Sequence, residues 1–204
     1  IPKLGFRAGT VPGLFSTWFA AHKTFGRLPI SELLQPAIEY AKNGFPANTD
    51  FVKRIETFLK MNPGSTLFET LGISTELSVG DIVIQKDLAN SLTLIAEQGR
   101  DAFYKGEIAE KIIKATNGWF NADDLAAHKT RVTDPISAKY RDLTIHGQPP
   151  PSQGMVLIEE LLLAAEYDLE KISEADRIHL LVEIKKLAFE DRNRILADPE
   201  KRQV

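Results

Sequence analysis

Ser152, in the run P-P-P-S-Q-G at residues 149–154, is the first residue whose neighbours suggest covalent chemistry. A serine nucleophile needs a base at its hydroxyl and a sharp strand-to-helix elbow to present it. Neither signature is here, since G-x-S-x-G is absent and no histidine stands in a paired motif with Ser152. Three successive prolines fix φ and remove backbone donors, so the run reads as a stiff, shaped loop. His22, His128, His146 and His179 fall in four different elements without H-x-x-x-H or H-E-x-x-H spacing, and read as surface or partly buried structural residues. Gly5, Gly9 and Gly13 match neither phosphate-cradling glycine pattern and instead predict a tight turn into the helix that carries Trp18. Adjacent carboxylates can serve acid-base chemistry, but Glu159-Glu160 falls on the polar side of an apolar helix and Asp123-Asp124 reads the same way. A solvated face is expected there, as for Glu183, Lys185, Lys186 and the run from Glu190 to Arg194. With no cysteine, disulfides, thiolate metal sites and a cysteine nucleophile are excluded, and no metal or cofactor site follows from the remaining residues.

Periodicity defines the elements that must position these residues. After Val11-Pro12-Gly13, Leu14, Phe15, Trp18, Phe19 and Phe25 recur at helical spacing up to Gly26, predicting a buried helix. Ser31 is a candidate cap for a second helix whose face carries Leu33, Leu34, Ala37, Ile38 and Ala41 and stops at Asn43-Gly44, with a kink or restart at Pro36. A third begins near Asn48-Thr49, carries Phe51, Ile55, Phe58 and Leu59, and ends at Pro63-Gly64. Residues 62–86 read as loop, with at most a brief strand or hairpin at Leu77 to Gln85. Asp87 is read as the cap of a helix with Leu88, Leu92 and Ile95 ending at Gly99, while Ile108, Ile112 and Ile113 mark another ending at Gly118. A helical turn follows at Asp123 to His128.

The period then changes from helical to two. Ile136, Ala138 and Tyr140, the turn Arg141-Asp142, and Leu143 and Ile145 predict a hairpin. Behind the proline loop, Leu157, Ile158, Leu161, Leu162 and Ala165 form an apolar helix face. Ser173 with Asp176 opens a last helix carrying Ile178, Leu181, Ile184, Leu187 and Ala188, expected to close at Asp198-Pro199. The fold class is α+β and predominantly helical, with helices over 14–130, a hairpin over 136–146 and helices over 154–197, taken as one incomplete segment over 1–204. An isolated two-stranded ribbon is marginal in water, so the hairpin is expected to pair with strands outside the chain.

Composition narrows the function classes. At 204 residues, with 43% hydrophobic and 26% charged, the chain has the make-up of a compact globular protein rather than a disordered tail, collagen-like segment or rod. A net charge of -3 leaves no basic footprint for nucleic acid. No apolar run approaches the roughly 20 residues of a membrane-spanning helix, and the start I-P-K-L-G-F has neither the charged nor the apolar region of a secretion signal. Without Met at position 1, the chain is expected to begin partway through a longer gene product, and nothing in it sets the compartment.

Four stretches in this order, G-F-R-A-G-T-V-P-G-L, L-L-Q-P-A-I-E-Y-A-K-N-G-F, D-L-A-N-S-L-T-L-I-A-E-Q-G-R-D-A-F-Y-K-G-E-I-A and Y-R-D-L-T-I-H-G-Q-P-P-P-S-Q-G, resemble the large subunit of gamma-glutamyltranspeptidases. The later A-F-E-D-R-N-R-I-L-A-D-P resembles the same subunit's aspartate-arginine and aspartate-proline helix. The matching positions are Gly9, Pro12, Gly13, Pro36, Gly44, Phe103, Tyr104, Gly106, Pro149, Pro150, Pro151, Ser152, Gly154, Asp191 and Arg192. At the loop, members more often carry a second serine and a second glycine where this chain has Gln153 and Met155. The resemblance implies a self-cleaving N-terminal nucleophile hydrolase with an αββα sandwich and no cofactor. It also implies a new amino-terminal threonine that attacks a gamma-glutamyl amide, paired as a heterodimer with the rest of the same precursor, the small subunit included. The family's catalytic threonine would lie beyond Val204 and its glutamate-clamping arginine before Ile1, so this chain is expected to be scaffold and inert alone. Alternatives are a cephalosporin- or glutaryl-acylase-like amidase of the same superfamily and a non-catalytic helical binding module.

Overall fold

The computed structural model of the protein describes residues 5–197, which form two compact units divided in sequence between Thr130 and Arg131. The first unit holds a 3-10 turn at Phe6–Ala8 and helices α1 (Leu14–Phe25), α2 (Ile30–Asn43), α3 (Thr49–Met61) and α4 (Leu67–Thr70). It continues with α5 (Lys86–Gln98), α6 (Arg100–Tyr104), α7 (Glu107–Ala115) and α8 (Ala122–Ala127), and includes the two-residue strands β1 (Phe45–Pro46) and β2 (Ile82–Val83).

Leu34, Ile38 and Ala41 on α2 and Ala89, Leu92 and Ile95 on α5 recur every three or four residues, which places each set on one helix face. These faces meet, and Phe103, Tyr104 and Ile108 complete the first core with Leu34, Ile38, Leu92 and Ile95. Burying each large aliphatic side chain contributes about 1.5–3 kcal/mol. A second core of Ala47, Val52, Ile55, Ile73 and Val83 lies where α3 meets the β1–β2 ribbon. Asn48 starts α3 by accepting the Phe51 N–H at 2.8 Å, and Asn121 with Asp124 forms a reciprocal capping box on α8.

Several local expectations are corrected. On α1 the only buried residue is Ser16, and Phe25 is 81% exposed, because the helix rests on the core by one edge, Phe15 and Phe19. Pro29, not Ser31, precedes the first turn of α2, and the helix runs unbroken through Pro36 to Asn43. Gln85 stands at the start of α5, with Asp87 inside its first turn, where a carboxylate faces unpaired N–H groups. Within 62–86, read as loop, the short helix α4 forms, and the brief strand expected within 77–85 is β2, which pairs antiparallel with β1, Phe45 opposite Val83 and Pro46 opposite Ile82. Gly44 permits this approach, since its φ is +92° and a β-carbon would lie 2.9 Å from Ile84 Cγ1 and 3.1 Å from the Val83 carbonyl.

In the second unit β3 (Ile136–Tyr140) pairs antiparallel with β4 (Leu143–Gly147), from Ile136 opposite Gly147 to Tyr140 opposite Leu143, as period-two spacing requires. Arg141 turns the chain with φ +55°. Helix α9 (Gly154–Ala165) packs on both strands and on α10 (Glu174–Ile195), which Ser173 opens by accepting the Asp176 N–H at 3.2 Å. The expected close at Asp198-Pro199 lies outside the described residues. The buried positions are Val156 and Ala164 on α9 and Ile184 and Ala188 on α10, whereas Leu157, Leu162, Ile178, Leu181 and Leu187 are exposed. Helix α9 is apolar on nearly every side and offers no single stripe, so its spacing does not select the face that packs.

Candidate functional site

Two sequence motifs meet at α6. Tyr104 is wholly buried, and its hydroxyl donates to the Pro12 carbonyl at 2.6 Å while accepting the Ser16 N–H at 3.2 Å. Ser16 is also buried, and its Oγ accepts from the Thr130 hydroxyl at 2.8 Å, the Thr130 N–H at 3.3 Å and Arg100 Nε at 3.5 Å. The Arg100 guanidinium stacks 4.3 Å over the Tyr104 ring and donates through Nη2 to the His128 carbonyl. On the same tyrosine lies the His128 imidazole, stacked at 5.4 Å and 19°. Its pKa is held below the ordinary histidine value by burial and by the Arg100 charge. Ser16 Oγ is therefore ringed by donors, with no base placed to take its proton. The arrangement satisfies buried polar groups and fixes the turn before α1, and it does not activate a nucleophile.

Gly9 closes the 3-10 turn through its N–H to the Phe6 carbonyl, Phe103 packs on Phe15 with ring centres 4.6 Å apart, and Gly106 sits where a β-carbon would meet the Ala102 carbonyl at 3.0 Å. The Tyr104 hydroxyl on Pro12 and the Phe103 ring on Phe15 bring the turn before α1 to α6, while Gly9 and Gly106 shape the local turns on either side. Pro36 is exposed on α2, and Gly44 serves the β1–β2 ribbon, so neither belongs to this cluster.

The proline loop makes a second constellation. Ser152 donates from its hydroxyl to Gln148 Oε1 at 3.0 Å and from its N–H to the Pro149 carbonyl at 3.1 Å, so the loop is tied to itself. The Pro150–Pro151 bond is cis. Gly154 begins α9 so close to the end of β4 that a β-carbon would stand 2.5 Å from the Gln148 N and 2.9 Å from the Gly147 carbonyl carbon. Along α9, Glu159 is half-buried, which corrects its reading as a solvated side chain. Burial first, then a hydrogen bond with Asp191 and the charges of Asp191 and Glu160, raise its pKa above the ordinary glutamate value. Next to Asp191, Arg192 has its Nε buried without a hydrogen-bond partner while Nη1 donates to Asn193 Oδ1 at 3.1 Å. Glu190 does not pair with Arg194, which instead reaches Asp191 at 3.7 Å. Among the described residues, no group of three His, Asp or Glu is arranged to hold a metal ion, and no helix is long and apolar enough to cross a membrane.

The whole chain, residues 1–204, matches the family model described as gamma-glutamyltranspeptidase. The chain belongs to the gamma-glutamyltranspeptidase family. It is 38% identical over 199 residues to the glutathione hydrolase-like YwrD proenzyme of Bacillus subtilis, covering 93% of this chain and 38% of that protein. To the acylase ACY 1 proenzyme of Pseudomonas sp. strain SE83 it is 36% identical over 205 residues, covering 96% of this chain and 37% of that protein. The gamma-glutamyltranspeptidase of Helicobacter pylori superposes with a TM-score of 0.88 at 28% identity, over 100% of this chain and 62% of that one. The chain thus spans well under half the length of these two curated relatives. The family read from the motifs, and its predominantly helical α+β segment, are borne out.

Sequence reasoning missed Ser16, Arg100 and Thr130 as members of one network. A signal existed for Ser16 alone, a small polar residue inside the apolar stripe of α1.

Proposed function

We propose that this gamma-glutamyltranspeptidase-family chain is a large-subunit segment of an amidase that cleaves and transfers gamma-glutamyl groups of glutathione-like amides. Its nucleophile is an amino-terminal threonine outside the chain. Such a threonine needs no separate histidine, because its own α-amino group can accept the hydroxyl proton. The observation that carries this reading is the state of two hydroxyls, Ser16 and Ser152: Ser16 is surrounded by donors and Ser152 is bonded to a neutral amide, so each is structural. The word proenzyme in the names of both curated relatives supports a precursor that yields a partner subunit, and their names support amide substrates. In this reading Gly9, Pro12, Gly13, Phe103, Tyr104 and Gly106 hold one wall of the scaffold. Gly44 holds the end of α2, with Pro36 inside that helix, and Pro149 to Ser152, Gly154, Asp191 and Arg192 hold the hairpin against its helices.

The test is turnover of a chromogenic gamma-glutamyl anilide by the complete precursor and by this chain alone. The precursor is expected to cleave itself and gain activity while the chain stays inert. Turnover by the purified chain would overturn the assignment. Likeness to the ACY 1 proenzyme favours a second reading, a glutaryl- or cephalosporin-acylase, and a matched glutaryl amide distinguishes the two by which substrate is turned over faster. A helical binding module predicts neither self-cleavage nor turnover.

A further inference from the structure

His128 lies outside the chemistry proposed above, and its surroundings are unusual for an imidazole. It ends α8, its ring stacked on Tyr104, and its Nε2 is buried without a hydrogen-bond partner. The backbone at Gly13 closes over that nitrogen, so that a β-carbon added there would sit 3.2 Å from Nε2 and 3.4 Å from Cε1. Gly13 is also the residue on which α1 is built, its carbonyl accepting the Thr17 N–H at 3.0 Å and the Thr17 hydroxyl at 3.1 Å. Its neighbour Pro12 is held by the Tyr104 hydroxyl. The imidazole is thus the side wall of a turn whose other wall is the tyrosine under it.

The charged groups around the ring decide what protonation would do. From α6 the ring meets Tyr104, and the Arg100 guanidinium, bonded to the His128 carbonyl, is the cation whose charge it feels. Asp101 does not offset a new charge there, being paired with Arg100 at 3.2 Å and with Lys105 at 3.0 Å. The turn and α1 supply Gly13, Ser16 and Thr17, which carry no charge. On α7, the other helix packed on α8, Glu107 is paired with Lys111 at 2.7 Å, and on α8 itself Asp124 is committed to the Asn121 cap. A neutral ring can leave Nε2 as a bare lone pair at modest cost. A protonated ring must carry a second N–H with no acceptor, beside Arg100, in a place water does not reach.

We infer that His128 is a pH-sensitive latch on the Pro12-Gly13 turn, closed when the imidazole is neutral and released when it takes a proton. Release means that the ring leaves Tyr104 for solvent, freeing Gly13 and loosening the bonds of Thr17 to its carbonyl, while Tyr104, Ser16 and Thr130 keep their own hydrogen bonds. The depressed pKa of His128 sets the direction. The unfolded chain takes up a proton at the ordinary value of about 6.5, before the native state does. The stabilisation is therefore complete above that pH and is lost as pH falls below it.

Amide hydrogen exchange on the whole chain, corrected for the intrinsic pH dependence, tests the latch between about pH 8 and about pH 5, the window in which an imidazole titrates. The Thr17 amide, held by the Gly13 carbonyl, is expected to lose protection several-fold on acidification while that of Ser16, held by Tyr104, is unchanged, and His128→Phe, which keeps a flat ring on Tyr104 and cannot titrate, is expected to abolish that change. An equal loss in both proteins would overturn the latch. Should His128→Phe fail to fold, the NMR titration of the His128 ring in the unaltered protein decides: a midpoint below about 6.5 supports the latch, and one at or above it sinks the idea.

Discussion

At Pro12-Gly13 in the first unit the backbone is held by side chains, and at Gly147 to Gly154 in the second it is held by backbone. In the first place the Tyr104 hydroxyl, the Arg100 guanidinium and the His128 ring each contribute, and every contact ends in an atom that can rotate or shift. In the second, Gly154 meets the main chain of Gln148 and Gly147, which cannot move without unpairing β4 or α9. The two units differ in the same sense in their cores. The first has two clusters of buried large aliphatic and aromatic residues, while the second buries only Val156, Ala164, Ile184 and Ala188 among the described residues. A hydrogen-bonded turn can be weakened in steps, whereas a steric contact between backbones tolerates almost nothing.

That contrast is open to direct attack. The largest effect is expected from Gly154→Ala, whose methyl group has no side chain to displace. It should cost about 3 kcal/mol, the upper range for overpacking, or prevent folding of the second unit. Denaturant unfolding of the chain measures it, and a loss below about 1 kcal/mol would erase the distinction between the two turns. Tyr104→Phe comes next. It keeps the ring and removes one hydroxyl, leaving the Pro12 carbonyl and the Ser16 N–H without their partner, for a cost of about 2 kcal/mol. A change within the error of the same unfolding experiment would show that the network is ornamental.

Glu159→Gln is expected to have the smallest effect, and to act in the opposite direction. The native pKa of Glu159 lies above its ordinary 4.5 because of burial and Asp191, so the native state holds a proton that the unfolded chain releases earlier. The stabilisation is complete below that ordinary value and is lost as pH rises through the native one. Glutamine stays neutral and can still donate to Asp191. A slight rise in Tm at about pH 7, vanishing near about pH 4, is the expected pair of melts. No difference between the two pH values would show that Glu159 is as solvated as its position in the sequence implied.

Much of the fold was legible because it is written in neighbours. Asn48 and Ser173 bond residues three positions ahead, Gly99 ends α5, and the alternation of Ile136, Ala138 and Tyr140 settles the strand register. The family was legible as well, since its glycines and prolines mark turns that only those residues make easily. The Tyr104 site was not. Its members Ser16, Tyr104 and Thr130 stand 88 and 114 positions from their partners, with no period to join them. Glu159 was misplaced because Glu160 beside it marks a polar side of α9, and nothing local shows that Asp191 of α10 meets that side.

By itself the sequence determined the longer helices, though not the short α4 and α6, together with the hairpin, the punctuation between them and the family, because those rest on dihedral preferences and hydrogen bonds that span a few residues. Only the tertiary structure decided which faces are buried, that β2 pairs with β1, and that a serine, a tyrosine, an arginine and a histidine share one buried site. Such contacts join residues far apart in the chain, and their energy depends on geometry that no local pattern encodes.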